Sequence, residues 1–222
     1  LPPNDVGRAF RNIVYGQLAF VKMVRGKEDS VFLKFCARLI DLDPNPSRFI
    51  RQMVFGAADF DGLLQVARDS QTIDIGALQL MPFTVPHDAR EPLQLLCSDG
   101  AARLGVLTDL GHASAYVMER LAGCHALLLE CNHDPDLLAR GNYPAFLKRR
   151  VGGMWGHLSN AAAAEIARTV HHSGLKHVVA AHLSEQNNLP ELAQQALALG
   201  LGCDPADIAV AHATGSGCWF SA

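Results

Sequence analysis

From about residue 72 onward, apolar residues fall into short runs separated by polar or glycine-containing turns. Leu78–Val85, Leu93–Ser98 and Arg103–Thr108 have strand-like length and alternation and predict three consecutive strands. Ser114–Leu121 has helical spacing. Ala126–Glu130 is an apolar run that ends on a charge, the pattern of a buried strand delivering a polar residue at its end. Asn160–His171 is an alanine-rich helix, and Ser159-Asn160 before it is a natural N-cap pair. His177–Ala181 predicts another buried strand, Pro190–Leu199 another helix and Ile208–Ala211 a last strand. Strands followed by alternating β and α units predict an α/β (α+β) chain with a sheet covered by helices. Upstream, Val6–Val24 and Ser30–Ile40 have amphipathic helical spacing. Asp43-Pro44-Asn45-Pro46-Ser47 then breaks the chain, and Arg48–Phe55 predicts a further helix or strand.

Charge divides the chain near residue 55. Residues 1–55 carry nine Lys/Arg against five Asp/Glu, a net of +4, and the remainder ten against seventeen, a net of −7. The expected organisation is an atypical segment over 1–55 and a C-terminal domain portion over 56–222. The 222 residues are ample for one sizeable core. With 49% hydrophobic and 18% charged residues the composition is globular and not disordered. A formal net charge of −3 gives no overall basic signature for nucleic acid, though a local basic groove would suffice. Cys36, Cys97, Cys124, Cys131, Cys203 and Cys218 lack CxxC spacing, which argues against zinc fingers and a disulfide framework. Reduced cysteines, no signal peptide and no apolar run near the roughly 18 residues needed to span a bilayer predict a cytoplasmic protein without a membrane partner. The chain opens on Leu1 and not Met, as expected of a fragment.

All ten histidines lie at or after His87. Three polar residues, His87, Asp109 and His182, fall at the C-terminal ends of predicted strands, where a sheet presents ligands on rigid supports. Imidazole and carboxylate together suit zinc or manganese. Taken singly, each is better explained as a turn residue; the recurrence at strand ends favours a metal site. Glu130 and His157 read either as a proton-donating pair or as an ion-pair member and a capping residue. Lys148-Arg149-Arg150 is the one tight basic cluster of the C-terminal portion, read as a solvated helix face or a grip on a phosphate backbone. Tyr143 and Trp155 flank it; core packing is their expected use and base stacking the alternative. His171-His172 at a helix end are expected to complement the helix dipole. Asn187-Asn188 are expected to be loop and cap residues.

Phe83-Thr84-Val85-Pro86-His87-Asp88, Gly105-Val106-Leu107-Thr108-Asp109-Leu110-Gly111, Glu130-Cys131-Asn132-His133-Asp134, Gly156-His157-Leu158-Ser159-Asn160 and Ala181-His182-Leu183-Ser184 occur in this order. At these segments, within about Ala57–Asp207, the chain resembles the metallo-β-lactamase fold superfamily and is most similar to its YycJ/WalJ exonuclease branch. The resemblance implies a four-layer αββα sandwich, a two-metal site and phosphodiester hydrolysis with 5′-to-3′ exonuclease polarity on DNA in preference to RNA. It implies His87, Asp109 and His182 as metal ligands, with Asp109 bridging, and Glu130 with His157 as the proton-donating pair. Lys148, Arg149 and Arg150 would contact nucleic acid. The family's early His-x-His-x-Asp-His cluster is missing, since no histidine precedes His87. The N-terminal part is therefore atypical or incomplete. One divalent ion or none, zinc or manganese, is expected, with little turnover. The alternatives are a non-catalytic nucleic-acid-binding or regulatory protein on this fold, and a hydrolase of another ester or cyclic phosphodiester. A homo-oligomer is left open.

Overall fold

A computed structural model of the protein describes residues 67–75, 78–89 and 92–211. The elements expected over Val6–Val24, Ser30–Ile40 and Arg48–Phe55 lie outside the described residues.

Among the described residues, seven strands form one sheet in sequential order. They are β1 (Ile73–Ile75), β2 (Leu78–Thr84), β3 (Leu93–Ser98), β4 (Arg103–Leu107), β5 (Ala126–Glu130), β6 (His177–Ala181) and β7 (Ala209–Val210). The first four pair antiparallel, and β4 to β7 pair parallel. Parallel neighbours need crossovers, and helices supply them. α1 (Ala115–Leu121) links β4 to β5. α2 (Pro135–Arg140), α3 (Ala145–Val151) and α4 (Asn160–Val170) lie between β5 and β6. α5 (Pro190–Leu201) and a short 3₁₀ turn (Pro205–Asp207) precede β7.

Local chemistry explains the boundaries. Ser114 caps α1, its side chain accepting from Val117 N, and Ser159 caps α4 by accepting from Ala162 N. α4 buries Ala163, Ile166, Ala167 and Val170, the spacing of a single helical stripe. α5 starts with Pro190 in its first turn and stops at Gly202, whose φ of 70° is the left-handed cap geometry that glycine adopts freely.

The helices pack against one face of the sheet. Phe83, Leu96, Leu107, Leu127, Leu129, Val178 and Ala180 meet Val117, Leu121, Ile166, Ala167 and Leu197 in one core. Residues of the opposite parity, including Leu80, Leu95, Val106, Leu128 and Val179, are buried as well. A sheet buried on both faces is what the inner layer of a sandwich requires. The described residues supply one sheet and one helix layer of the expected αββα architecture.

The expected strands and helices match these within a residue or two. β1, α2 and α3 were not expected as elements. Three residues are too few to show β1's alternation, and α3 buries none of its side chains, so it carries no apolar stripe. His172 does not serve the dipole of α4. Its Nδ1 accepts from Gly174 N and its Nε2 lies 3.0 Å from Cys124 O, so the ring closes the turn that follows. Cys97, Cys124 and Cys131 are buried free thiols and Cys203 is an exposed one. Burial pushes the Cys97 thiol up to about 12.

Candidate metal centre

The register of the parallel strands places three site residues at one edge. Leu107 on β4 pairs with Leu129 on β5, and Glu130 pairs with Ala181 on β6. Asp109, Glu130 and His182 therefore leave neighbouring strands side by side. Among the described residues three non-glycine positions have positive φ, and two of them are Asp109 (53°) and His182 (57°). Left-handed backbone costs L-residues on the order of 1–3 kcal/mol and persists where surrounding structure imposes it. The supports are visible. Gln94 on β3 is buried, and its Oε1 accepts from Thr108 N (3.0 Å) and Thr108 Oγ1 (3.3 Å), holding the chain just before Asp109. Asn132 donates from Nδ2 to His182 O at 3.0 Å.

Glu130 is the hub. It is completely buried, and each oxygen accepts two hydrogen bonds. Oε1 takes His157 Nδ1 at 2.8 Å and His182 Nδ1 at 2.6 Å; Oε2 takes Leu110 N at 3.0 Å and Leu158 N at 3.3 Å. Burial alone would raise its carboxyl, but the bonds from His157 and His182 outweigh it and hold Glu130 down at about 2. Burial likewise opposes charge on His182, yet Glu130 and Asp109 raise its imidazole above the ordinary value.

His87 is oriented in the same way by a different acceptor. Its Nδ1 lies 2.9 Å from Gly156 O, a carbonyl that can only accept. All three imidazoles thus give their Nδ1 proton to an oxygen, which leaves Nε2 as the lone-pair nitrogen whenever the ring is neutral. This is the tautomer that a metal needs, fixed by outer partners. The rings stand in a row, with centroids 5.1 Å apart for His87–His157 and 5.2 Å for His157–His182. Asp109 Oδ1 lies 3.7 Å from His182 Nε2 and 3.8 Å from His157 Nδ1. Asp109, Glu130, His157 and His182 form a group of donors close enough to hold one ion; His87 stands outside it, across the His157 ring. The donor set fits a divalent metal. With all four acceptor positions of Glu130 filled, the outward-facing donors of the group are Asp109 and the histidines.

The basic cluster is partly engaged. Arg150 pairs with Asp88 and holds that carboxyl below the usual range, tying α3 to the His87 loop. Lys148 donates to Ala139 O at 2.6 Å, and Arg149 is exposed. Trp155 is not core-packed: it is 60% exposed. Asn187 and Asn188 lie in the loop before α5, as expected, but both are buried and the cap position falls to Leu189. Asn188 donates to Cys131 O (2.7 Å) and exchanges bonds with Asn160, joining the β5 end to the starts of α4 and α5.

Gln94, Asn132, Asn188 and Gly111 are supports that sequence reasoning missed. Gln94 was discoverable as a lone amide in an otherwise apolar strand. Gly111 is needed for close approach: an added Cβ would overlap the Met154 carbonyl and the Trp155 amide. Gly111→Ala is therefore expected to cost about 1–3 kcal/mol in a urea melt by displacing the 154–156 segment.

The chain is similar to known proteins. The chain is 35% identical over 122 residues to exodeoxyribonuclease YycJ of Bacillus anthracis, covering 55% of this chain and 46% of that protein. It is 33% identical over 145 residues to exodeoxyribonuclease WalJ of Streptococcus pneumoniae D39, covering 60% and 52%. The chain spans about half the length of these curated relatives. Its backbone superposes on the metallo-β-lactamase fold protein YhfI of Bacillus subtilis with a TM-score of 0.54, covering 82% of this chain and 68% of that one at 12% identity. The described residues share the metallo-β-lactamase fold. No family model matches the chain. The expected resemblance to the YycJ/WalJ branch and the expected fold class hold.

Proposed function

We propose that this chain is a metal-dependent hydrolase of phosphodiester bonds in nucleic acid, DNA in preference to RNA. The observation that carries the reading is the common orientation of three imidazoles, two of them on one buried carboxylate beside Asp109. The names of the curated relatives supply the substrate class. Asp109 and His182 would hold one divalent ion, zinc or manganese, and His87 faces a second position across the His157 ring. Such an ion, when bound, supplies a Lewis acid and lowers the pKa of bound water.

The chain's own groups do the rest. Glu130 keeps His157 and His182 in one tautomer and one orientation. With Nδ1 fixed on the buried carboxylate, His157 can carry a proton at Nε2, and that proton is available to a leaving oxygen. Asp88 and Arg150 fix the loop that carries His87. Arg149 faces solvent as a phosphate contact, while Lys148 and Arg150 are partly committed within the protein. No helix among the described residues is long and apolar enough to cross a membrane.

The test is elemental analysis of the purified chain with a cleavage assay on linear DNA, with and without chelator. One ion per chain and chelator-sensitive cleavage are expected. DNA binding that persists in chelator, without cleavage under any metal, would instead favour a non-catalytic binding protein on this fold.

A further inference from the structure

We propose that Met154 and Trp155 form a fixed stacking platform for an unpaired nucleobase, so that the site takes a single-stranded end. This rests on the nuclease reading above and names the form of nucleic acid that it admits.

Trp155 is 60% and Met154 65% exposed. Large apolar side chains are usually buried, so a rigidly held and exposed pair calls for a partner. The segment is held from several sides. Trp155 O accepts from Asp88 N at 2.9 Å, and Met154 O lies 2.8 Å from His112 Nδ1. Gly111 packs against the Met154–Trp155 peptide. Gly156 O receives His87 Nδ1, and Gly156 N donates to Gly153 O at 2.9 Å. The His112 ring stands edge-on to the indole at 6.1 Å and 82°, bracing one side of it. The backbone is thus pinned to the loops that carry His87 and follow Asp109, while the side chains stay in water. Trp155 is two residues from His157 in the chain.

The occupant must be flat, offer an apolar face and carry negative charge. Exposed Arg149, with no ion pair among the described residues, lies in the last turn of α3, a few residues before Met154. A nucleotide meets all three demands: its base stacks on the indole while its phosphate meets the guanidinium. Within a duplex both faces of a base are covered by its neighbours, so only a terminal or splayed base can occupy the platform.

The experiment is fluorescence anisotropy in chelator, so that nothing is cut. The probes are a labelled oligothymidylate of roughly ten nucleotides, within the range of single-strand sites, and a blunt, fully paired hairpin. Trp155→Ala is expected to weaken oligothymidylate binding about ten-fold, Trp155→Tyr to keep it within about three-fold, and the hairpin to be indifferent to both. Equal oligothymidylate affinity in Trp155→Ala and the parent overturns the platform, as does an equal loss for the hairpin. A parent dimer that Trp155→Ala dissociates in sedimentation would assign the patch to a second copy and also overturn it. Chelator-sensitive cleavage of linear DNA by the parent is scored separately, so the nuclease reading can stand when the platform falls.

Discussion

A Glu130→Gln variant is expected to lose about 3–5 kcal/mol in chemical denaturation, the usual cost of removing one partner from a buried charged network. Glu130 offers four acceptor positions and all four are filled, by two imidazoles and two backbone amides. Glutamine keeps the volume but has one oxygen. Its NH₂ must face either the two Nδ1–H groups or the amides of Leu110 and Leu158, and in each case donor meets donor. The imidazoles are then released to rotate, and metal affinity is expected to fall roughly 10- to 100-fold, as it does when an outer partner of a ligand histidine is lost. Titration with zinc or manganese by calorimetry reads this directly. Full stability together with full affinity in the variant would show that Glu130 is not the hub described. The pH profile gives a second reading in chelator. Glu130 is depressed from 4.5 to about 2, so its contribution is present above about 4.5 and fades as pH falls toward 2. The variant's acid limb should be flatter than the parent's over that interval.

Asp109→Asn should behave in the opposite way, with folding kept and function lost. Asp109 is 40% exposed at its side chain and sits at φ 53°, a conformation that asparagine tolerates as well as aspartate. Asp109 lies 3.7–3.8 Å from His182 and His157, beyond hydrogen-bond distance, and both rings keep their bonds to Glu130. The metal-free melting temperature is therefore expected to stay within a few degrees of the parent's, as for surface substitutions of about ±0.5 kcal/mol. The metal response should vanish. An ion at a hundred times its Kd stabilises the parent by about 2.7 kcal/mol, and a variant with more than ~100-fold weaker binding gains almost none of this. Chelator-sensitive DNA cleavage should fall by a similar factor. A variant that still cleaves at the parent's rate would remove this site as the source of the activity. Run together, the two variants separate the residue that orients the site from the one that faces the ion.

The fold was largely legible in the sequence because its elements are built from local, periodic signals. Apolar runs marked β2 to β6, and Ser114 and Ser159 marked two helix starts. α3 escaped because it has no buried stripe, and β1 because it has three residues. Polar residues at strand ends singled out His87, Asp109, Glu130 and His182, since each follows an apolar run that has to stop at the sheet edge. His157 stood out as the residue before a helix cap.

What the sequence by itself determined is the order of strands and helices and the polar residues available at their ends. Periodicity and capping act within a few residues, so they can be read along the chain. Only the tertiary structure decided the partners. Glu130 meets His157 and His182, 27 and 52 residues away, because parallel register sets β5 beside β6 and the α4 cap beneath them. The exposure of Trp155 was decided in the same way: its loop is held by Asp88 and His112 from distant segments, which leaves the indole in water. Such pairings depend on which strand edges come together in space, and no local pattern of residues encodes that.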